Sequence, residues 1–245
     1  MRDSHSERHQ QCQSARSRFA LNRTQPSPLL YLSRAFSSLA PDKYAFATNK
    51  NDRAHTVRMG AIITFTGRSG SGKTSIVRAL LAHPQFAYVP SNTSRPSRPT
   101  DFPGEYTSCT LEDFAREEDW LWVTPLVHGN RYGTKKSDVA RAAENDRYNL
   151  MILTPHNLQT LRYSAHNTPL LHLFLEEAEE ECKQRMLVRG DTPDSAEKRL
   201  AAELHWKDQM GVPYEVIANP NGALEQTAEH VRRRILDFPL RLYSP

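Results

Sequence analysis

The pattern G-x-x-x-x-G-K-[ST] over residues 67–74 constrains this chain more than any other stretch of its sequence. The apolar run 61–66 before it has the composition of a buried strand, and a helical pattern follows over 75–82. Glycines in such a loop let successive backbone N–H groups face one anion, and the N-terminus of the following helix adds partial positive charge. Strand, loop and helix therefore predict a binding site for a nucleoside triphosphate.

Two side chains of this loop carry the predicted chemistry. Lys73 would reach the β- and γ-phosphates of ATP as a catalytic residue, and the Thr74 hydroxyl would bind Mg²⁺. We therefore expect ATP and Mg²⁺ as cofactors. The predicted ATP-binding residues of the loop are Gly67, Arg68, Ser69, Gly70, Ser71, Gly72, Lys73 and Thr74.

Positive charge is concentrated at the N-terminus of the chain. Residues 1–58 carry ten Arg or Lys and four acids, a net charge of +6. The whole chain of 245 residues has a net charge of +4, so residues 59–245 sum to −2. We therefore expect no nucleic-acid partner for the folded part.

The basic leader, residues 1–58, is predicted to be a disordered segment that precedes a folded domain over 59–242. Arginine and serine are frequent in it and acids are absent from 8–41, which is typical of a mitochondrial transit segment. The alternative is translated non-coding sequence upstream of a start at Met59. We expect a cytoplasmic protein, or a mitochondrial one if the transit segment is genuine.

Cysteine spacing and apolar run length narrow the classes of protein further. Cys12, Cys109 and Cys182 are isolated and show no C-x-x-C spacing, which disfavours a disulfide framework or a zinc site. No apolar run approaches the roughly 18 residues that span a bilayer. We therefore expect no membrane partner.

Short apolar runs alternate with helical stretches, which indicates an α/β fold with a parallel sheet flanked by helices. The runs at 149–153 and 170–175 are continuously apolar, as in strands buried on both faces. The predicted strands after the loop are 86–89, 149–153, 170–175 and 214–218, and the predicted helices are 111–117, 178–188 and 225–236.

A group of arginines and tyrosines adds a second set of phosphate ligands. Arg95 and Arg98 lie three residues apart on a proline-rich segment, where both can converge on one phosphate dianion. The hydroxyls of Tyr106 and Tyr132 can add donors. Further along, Arg185 and Arg189 lie four residues apart on a predicted helix, where both could close over a transferring phosphoryl group.

These motifs, in this order and spacing, resemble guanylate kinase over residues 60–240. The resemblance implies a P-loop NTPase-type core sheet, an inserted subdomain that binds a nucleoside monophosphate at about 91–135, and a mobile lid at about 185–200. It also implies small-molecule nucleotide substrates. We expect a monomer or a weak homodimer.

The resemblance further implies roles for single residues. Ser91 and Thr134 would touch the acceptor base, and Asn219 would lie near the adenine of ATP. The implied acceptor-binding residues are Ser91, Arg95, Arg98, Tyr106, Tyr132 and Thr134. The implied catalytic residues are Lys73, Arg95, Arg185, Arg189 and Arg199.

The base-reading positions depart from the family pattern. The family has a glutamate about six residues before its Gly-Asn turn and an aspartate at the end of the third strand, and both accept hydrogen bonds from guanine. This chain has Val123 at the first position and Thr154 near the second. Because an unpaired buried donor costs about 1–3 kcal/mol, the identity of the acceptor base is open at this point.

Three functions fit these observations. The first is a nucleoside monophosphate kinase that converts GMP or dGMP to the diphosphate. The second is a kinase for a sugar phosphate such as ribose 1,5-bisphosphate, which the group of Arg95, Arg98 and Tyr106 disfavours. The third is a non-catalytic interaction module with a guanylate-kinase-like domain, which the retained Lys73 and the lid arginines disfavour.

Overall fold

A computed structural model of the chain describes residues 60–124 and 129–238. The predicted leader over 1–58, the loop residues 125–128 and the end of the predicted domain after 238 lie outside the described residues. In chain order the elements are β1 (Ala61–Thr66), α1 (Lys73–Leu81), β2 (Phe86–Tyr88), β3 (Ser91–Thr93), β4 (Tyr106–Ser108), β5 (Trp120–Val123), β6 (Tyr132–Lys135), α2 (Lys136–Glu144), β7 (Tyr148–Ile152), α3 (Pro155–Ser164), β8 (Leu170–Glu176), α4 (Glu179–Val188), α5 (Pro193–Ala202), β9 (Glu215–Ala218) and α6 (Leu224–Leu236).

Five parallel strands form the central sheet, in the order β2-β7-β1-β8-β9. The middle strand, β1, is buried along its whole length because it has neighbours on both edges and helices on both faces. The strands predicted at 86–89, 149–153, 170–175 and 214–218 correspond to β2, β7, β8 and β9. The predicted α/β fold with a parallel sheet flanked by helices is confirmed.

Alternate residues of β1 belong to two separate apolar layers, one on each face of the sheet. Ile63 and Phe65 belong to a core that includes side chains of α1 and α6. Ile62 belongs to a second core that includes side chains of α2 and α3. The carboxyl end of β1 is thereby held between two packed layers, and this end leads directly into the predicted phosphate-binding loop.

A second, smaller sheet lies within residues 91–135, the range predicted for the inserted subdomain. Its strand order is β4-β3-β6-β5. The pair β3-β4 is parallel, whereas β3-β6 and β5-β6 are antiparallel. A Cβ on Gly133 of β6 would contact the ring of Trp120 in β5, so glycine permits this close packing.

The helix predicted at 111–117 is wrong. Two short 3-10 turns form instead, over Asp113–Ala115 and Glu117–Asp119. The Phe114 ring stacks on Trp120 with ring centroids 4.5 Å apart, and Arg116 leaves helical geometry with φ −86 and ψ 80. Packing of Phe114 against the start of β5 therefore outweighs the local helical pattern.

Two short helices, α4 and α5, cover the range predicted for the lid. Gly190 follows α4 with a φ of 99, a conformation that favours glycine, and the Thr192 side chain caps α5 by accepting from Ser195 N. The two helices enclose a buried cluster of Cys182, Met186, Ala196 and Leu200. Within the described ranges, every helix is too short or too polar to traverse a lipid bilayer.

Candidate nucleotide-binding site

The predicted phosphate-binding loop connects β1 to α1. Gly67, Gly70 and Gly72 have positive φ values of 143, 83 and 95. A Cβ on Gly70 would overlap the backbone carbonyl of Cys182, and a Cβ on Gly72 would overlap the side-chain amide of Asn219. These positions therefore require glycine, both for their backbone conformation and for the close approach of neighbouring groups.

Asn219, the first residue after β9, forms a hydrogen bond with the loop. The residue is 3% exposed, and its Nδ2 donates a hydrogen bond to the backbone oxygen of Ser71 at 2.8 Å. Its Oδ1 is buried without a hydrogen-bond partner. The asparagine that the resemblance assigned to the adenine thus contacts the loop itself, and it retains one buried acceptor that a ligand could pair.

Lys73 begins α1, and its ammonium group lies back over the loop. Nζ donates hydrogen bonds to the backbone oxygens of Gly67 at 2.7 Å and Arg68 at 2.8 Å. Burial lowers the pKa of Lys73 to about 8, although the nearby carboxylate of Glu203 acts in the opposite direction. A phosphate group would replace the two carbonyls as the partner of this ammonium.

One contact of the loop was absent from the sequence predictions. Glu203, which follows α5 directly, accepts hydrogen bonds from the backbone N of Ser69 at 2.5 Å and from Ser69 Oγ at 2.7 Å. Glu203 is only 8% exposed. The two residues are 134 positions apart, and no motif or periodicity relates them, so the sequence carried no signal for this pair.

Arg185 reaches the loop from α4. Its Nη1 donates to the backbone oxygen of Gly70 at 3.3 Å, and its Nη2 donates to the backbone oxygen of Asn219 at 3.1 Å. Glu177 accepts a further hydrogen bond from Nη2 at 2.7 Å and balances the charge. This predicted lid arginine therefore lies directly against the phosphate-binding loop.

Arg189 and Arg199 meet at one carboxylate between α4 and α5. Arg189 Nε donates to Asp191 Oδ2 at 2.8 Å, and Arg199 Nη1 lies 3.5 Å from Asp191 Oδ1. The charges of both arginines lower the pKa of Lys73, although less than burial does. The structure thus brings the predicted lid arginines within electrostatic reach of the loop lysine.

Arg95 lies in a fixed position just after β3 and is 7% exposed. Its Nη2 donates to both carboxylate oxygens of Asp101, at 3.0 and 2.9 Å, and its Nη1 donates to the backbone oxygen of Pro96 at 2.8 Å. The guanidinium carbon lies 4.8 Å from the centre of the Tyr106 ring. Asp101 and Tyr106 together orient this predicted acceptor arginine.

The predicted acceptor tyrosines lie together on the second sheet. The rings of Tyr106 and Tyr132 are 6.3 Å apart, edge to face. Burial raises the pKa of Tyr106 to about 12, so its hydroxyl remains a hydrogen-bond donor at neutral pH. Ser91 pairs with Tyr106 across β3 and β4, which brings a third predicted acceptor residue to the same sheet.

Arg98 and Thr134 differ from each other in exposure. The side chain of Arg98 is exposed, and its backbone N–H donates to Asp101 Oδ2 at 2.8 Å, so Arg98 lies on the loop that holds Arg95. Thr134 is buried in β6, opposite Trp122 of β5. The structure places both on the second sheet or its connecting loop.

Neither base-reading position supplies a carboxylate. Val123 lies at the end of β5 opposite Gly133, and Thr154 is the N-cap residue of α3. The buried Asp138 at the start of α2 already accepts a hydrogen bond from Asn92 Nδ2 at 3.2 Å. Val123 and Thr154 therefore offer no carboxylate to the N1–H and 2-amino donors of guanine.

The loop suits a magnesium–nucleotide complex. Thr74 is half-buried in the first turn of α1, next to Lys73. Among the residues that the structure describes, no three His, Cys, Asp or Glu side chains are grouped so that they could hold a metal. Because Mg²⁺ commonly binds through one or two protein ligands, several waters and the substrate phosphates, the Thr74 hydroxyl fits this role.

Comparison with known proteins supports one family. No protein-family model matches the chain. The guanylate kinase of Chelativorans sp. (strain BNC1) is 32% identical over 160 residues, 62% of this chain and 73% of that protein. The guanylate kinase of Oleidesulfovibrio alaskensis (strain ATCC BAA-1058 / DSM 17464 / G20) is 30% identical over 190 residues, 73% of this chain and 88% of that protein. The crystal structure of guanylate kinase from Anaplasma phagocytophilum has a similar fold, with a TM-score of 0.53 and 16% identity over 73% of this chain and 86% of that one. This chain belongs to the guanylate kinase family.

Proposed function

We propose that this chain is an ATP-dependent nucleoside monophosphate kinase that converts GMP or dGMP to the diphosphate. The observation that carries the proposal is an intact phosphate-binding loop contacted by Arg185, with Lys73 as its first helical residue. Loop, lysine and lid arginine supply the positive charge that phosphoryl transfer needs on the donor side.

On the donor side, the loop and the N-terminus of α1 would bind the phosphate chain of ATP. Lys73 would leave the carbonyls of Gly67 and Arg68 and donate to the β- and γ-phosphates. Thr74 would hold Mg²⁺, which when bound neutralises charge on these phosphates. The buried Oδ1 of Asn219 would gain a donor from the nucleotide.

On the acceptor side, Arg95 would bind the phosphate of the monophosphate. Because Asp101 fixes the guanidinium plane from one side, only the remaining N–H groups are available to the acceptor. The hydroxyls of Tyr106 and Tyr132 would add neutral donors. The acceptor is itself a phosphate dianion, so the transfer needs no strong general base.

Base selectivity is expected to be weaker than two carboxylate acceptors would give. Val123 and Thr154 leave the N1–H and 2-amino groups of guanine without charged partners. Each lost acceptor costs about 1–3 kcal/mol, which corresponds to a loss of about one order of magnitude or more in selectivity per position. GMP and dGMP remain the proposed acceptors because the phosphate-binding residues favour a nucleoside monophosphate and the family membership favours guanine.

The test is an ADP-release assay with ATP and Mg²⁺ and one acceptor at a time. We expect turnover with GMP and dGMP, and a smaller preference over AMP, CMP and UMP than two base-reading acids would give. Lys73→Ala should abolish the activity because its ammonium is the group proposed to bind the β- and γ-phosphates. The matched control, Lys198→Ala, removes an exposed lysine that pairs with Asp194 and should leave turnover unchanged.

Two outcomes would contradict the proposal. Turnover of ribose 1,5-bisphosphate without turnover of any nucleoside monophosphate would change the acceptor class. ATP binding without turnover of any of these acceptors would remove the kinase assignment. Either result would leave the donor site intact and show that the acceptor-side interpretation is wrong.

A further inference from the structure

The carboxylate of Glu203 lies against the predicted phosphate-binding loop, where it holds two hydrogen-bond donors of Ser69. It accepts from the backbone N–H and from the hydroxyl of Ser69, at 2.5 and 2.7 Å. Both donors belong to the loop between Gly67 and Thr74 that cradles phosphate. Glu203 is buried, so its hydrogen bonds with Ser69 are shielded from solvent.

Lys73 also lies in the electrostatic field of the Glu203 carboxylate. Lys73 Nζ bonds to the carbonyls of Gly67 and Arg68, while the Glu203 carboxylate is the strongest single charge that raises the pKa of Lys73. A carboxylate carries less charge than a triphosphate and has fewer acceptor oxygens. A nucleotide can therefore outcompete it, at a cost in affinity.

The same contact connects the loop to the end of the predicted lid. Glu203 is the first residue after α5, and Arg68 donates to the backbone oxygen of the next residue, Leu204, at 3.4 Å. Arg68 also pairs with Glu179 at the start of α4. The loop is thus tied to both helices when Glu203 is bound to Ser69.

We propose that Glu203 is an internal competitor for the donor phosphates, and that ATP must displace its carboxylate from Ser69. Displacement releases the end of α5 from the loop, so that α5, which carries Arg199, can move when the nucleotide binds. Glu203 thus lowers the affinity of the donor site for ATP. This inference rests on the proposed function only in that the donor is a nucleoside triphosphate.

The test compares ATP binding by the full-length chain and by Glu203→Gln, measured by titration calorimetry without acceptor. The substitution keeps the size of the side chain and removes its charge. We expect the ATP dissociation constant to fall about tenfold, because a charge-assisted hydrogen bond no longer opposes binding. The matched control is Glu197→Gln, which removes the same charge from α5 at a residue paired with Lys183; the ATP dissociation constant of this variant should equal that of wild type.

Thermal unfolding provides a second readout. A competing contact stabilises only the nucleotide-free protein, so Glu203→Gln should unfold at a lower temperature than wild type without ATP. At saturating ATP the difference should disappear because the contact is already broken in both proteins. If Glu203→Gln does not fold, Glu203→Asp, which is one methylene too short to reach both donors, is expected to give the same two results.

Three outcomes would overturn the inference. An unchanged dissociation constant would show that Glu203 does not compete. A weaker affinity, with a stability difference that persists at saturating ATP, would show that Glu203 positions the loop for the nucleotide. If neither wild type nor variant binds ATP, the proposed function fails as well, so failure of the inference alone is recognised by wild type that binds ATP normally.

Discussion

Among the residues of the loop, Lys73 is expected to make ATP binding dependent on pH. Burial lowers its pKa in the nucleotide-free protein to about 8. Below this pH the ammonium is charged and ready to bind phosphate. Above it, ATP binding must first take up a proton, so affinity falls as the pH rises, by up to about tenfold per pH unit.

The measurement is the ATP dissociation constant from about pH 7 to about pH 9. A plot of its logarithm against pH should bend near the pKa of Lys73 in the nucleotide-free protein. Lys73→Met should bind ATP more weakly and without the bend. Lys198→Met, which removes an exposed lysine, should keep it. A bend that persists in Lys73→Met would assign the titration to another group.

Arg95 is the residue on which acceptor binding is predicted to depend most. Its guanidinium is buried and paired with Asp101, so it is already oriented before any acceptor binds. Arg95→Ala should raise the KM for GMP and lower kcat, each by about tenfold or more, because a charged hydrogen bond to the acceptor is lost. Steady-state kinetics with GMP varied at saturating ATP measure both effects.

The matched control for this substitution is Arg116→Ala, which removes an exposed arginine from the connection between β4 and β5 of the smaller sheet. Its kinetic constants should equal those of wild type. If Arg95→Ala has normal kinetics, the acceptor site lies elsewhere in the molecule.

At the scale of the element, the turn from β1 to α1 depends on glycine for a steric reason. A Cβ on Gly72 would overlap the Asn219 amide, so Gly72→Ala must push Asn219 away and open the loop. We expect ATP affinity to fall by at least about tenfold, which corresponds to about 1.4 kcal/mol. Gly222→Ala is the control, because it has a similar φ of 77 but nothing within 4 Å of the added carbon.

The two substitutions separate backbone strain from steric overlap. Both should lower the unfolding temperature, because alanine at positive φ costs about 1–2 kcal/mol. Only Gly72→Ala should also weaken ATP binding, as measured by calorimetry. Equal affinities for the two variants would show that the overlap at Gly72 relaxes without moving the loop.

The elements differ in how well sequence predicts them. The loop at 67–74 and strands such as β7 and β8 follow from local pattern, because a glycine loop and a continuous apolar run need no distant partner to be recognised. The prediction of a helix at 111–117 was wrong because Phe114 packs on Trp120 across a turn. The contact of Glu203 with Ser69 could not be predicted, because only the tertiary fold brings residues so far apart into contact.

At the scale of the whole molecule, His172 is expected to make the free energy of unfolding dependent on pH in the acid range. It lies in β8, next to the middle strand β1, with Nδ1 2.8 Å from the hydroxyl of Thr64 in β1. Burial, with a smaller contribution from Arg162, lowers its pKa from 6.5 to about 4. The unfolded chain therefore binds a proton at a higher pH than the folded one, and stability falls as the pH drops from about 6.5 to about 4.

The expected loss is about 3 kcal/mol between neutral pH and pH 4, seen as a lower denaturation midpoint in urea. His172→Gln, which can still pair with Thr64, should remove this part of the acid sensitivity. His166→Gln, at an exposed histidine, should not change it. An unchanged pH dependence in His172→Gln would assign the acid sensitivity to other groups.

The groups that shape the phosphate-binding loop all come from later parts of the chain. The carbonyl of Cys182, the carboxylate of Glu203 and the amide of Asn219 enclose a turn that is complete in sequence by Thr74. During synthesis, which proceeds from the N-terminus, the ribosome therefore makes the turn more than a hundred residues before it makes Asn219, the last of these contacting residues. A nascent chain arrested before residue 219 should not be retained on immobilised ATP, whereas the released full chain should be.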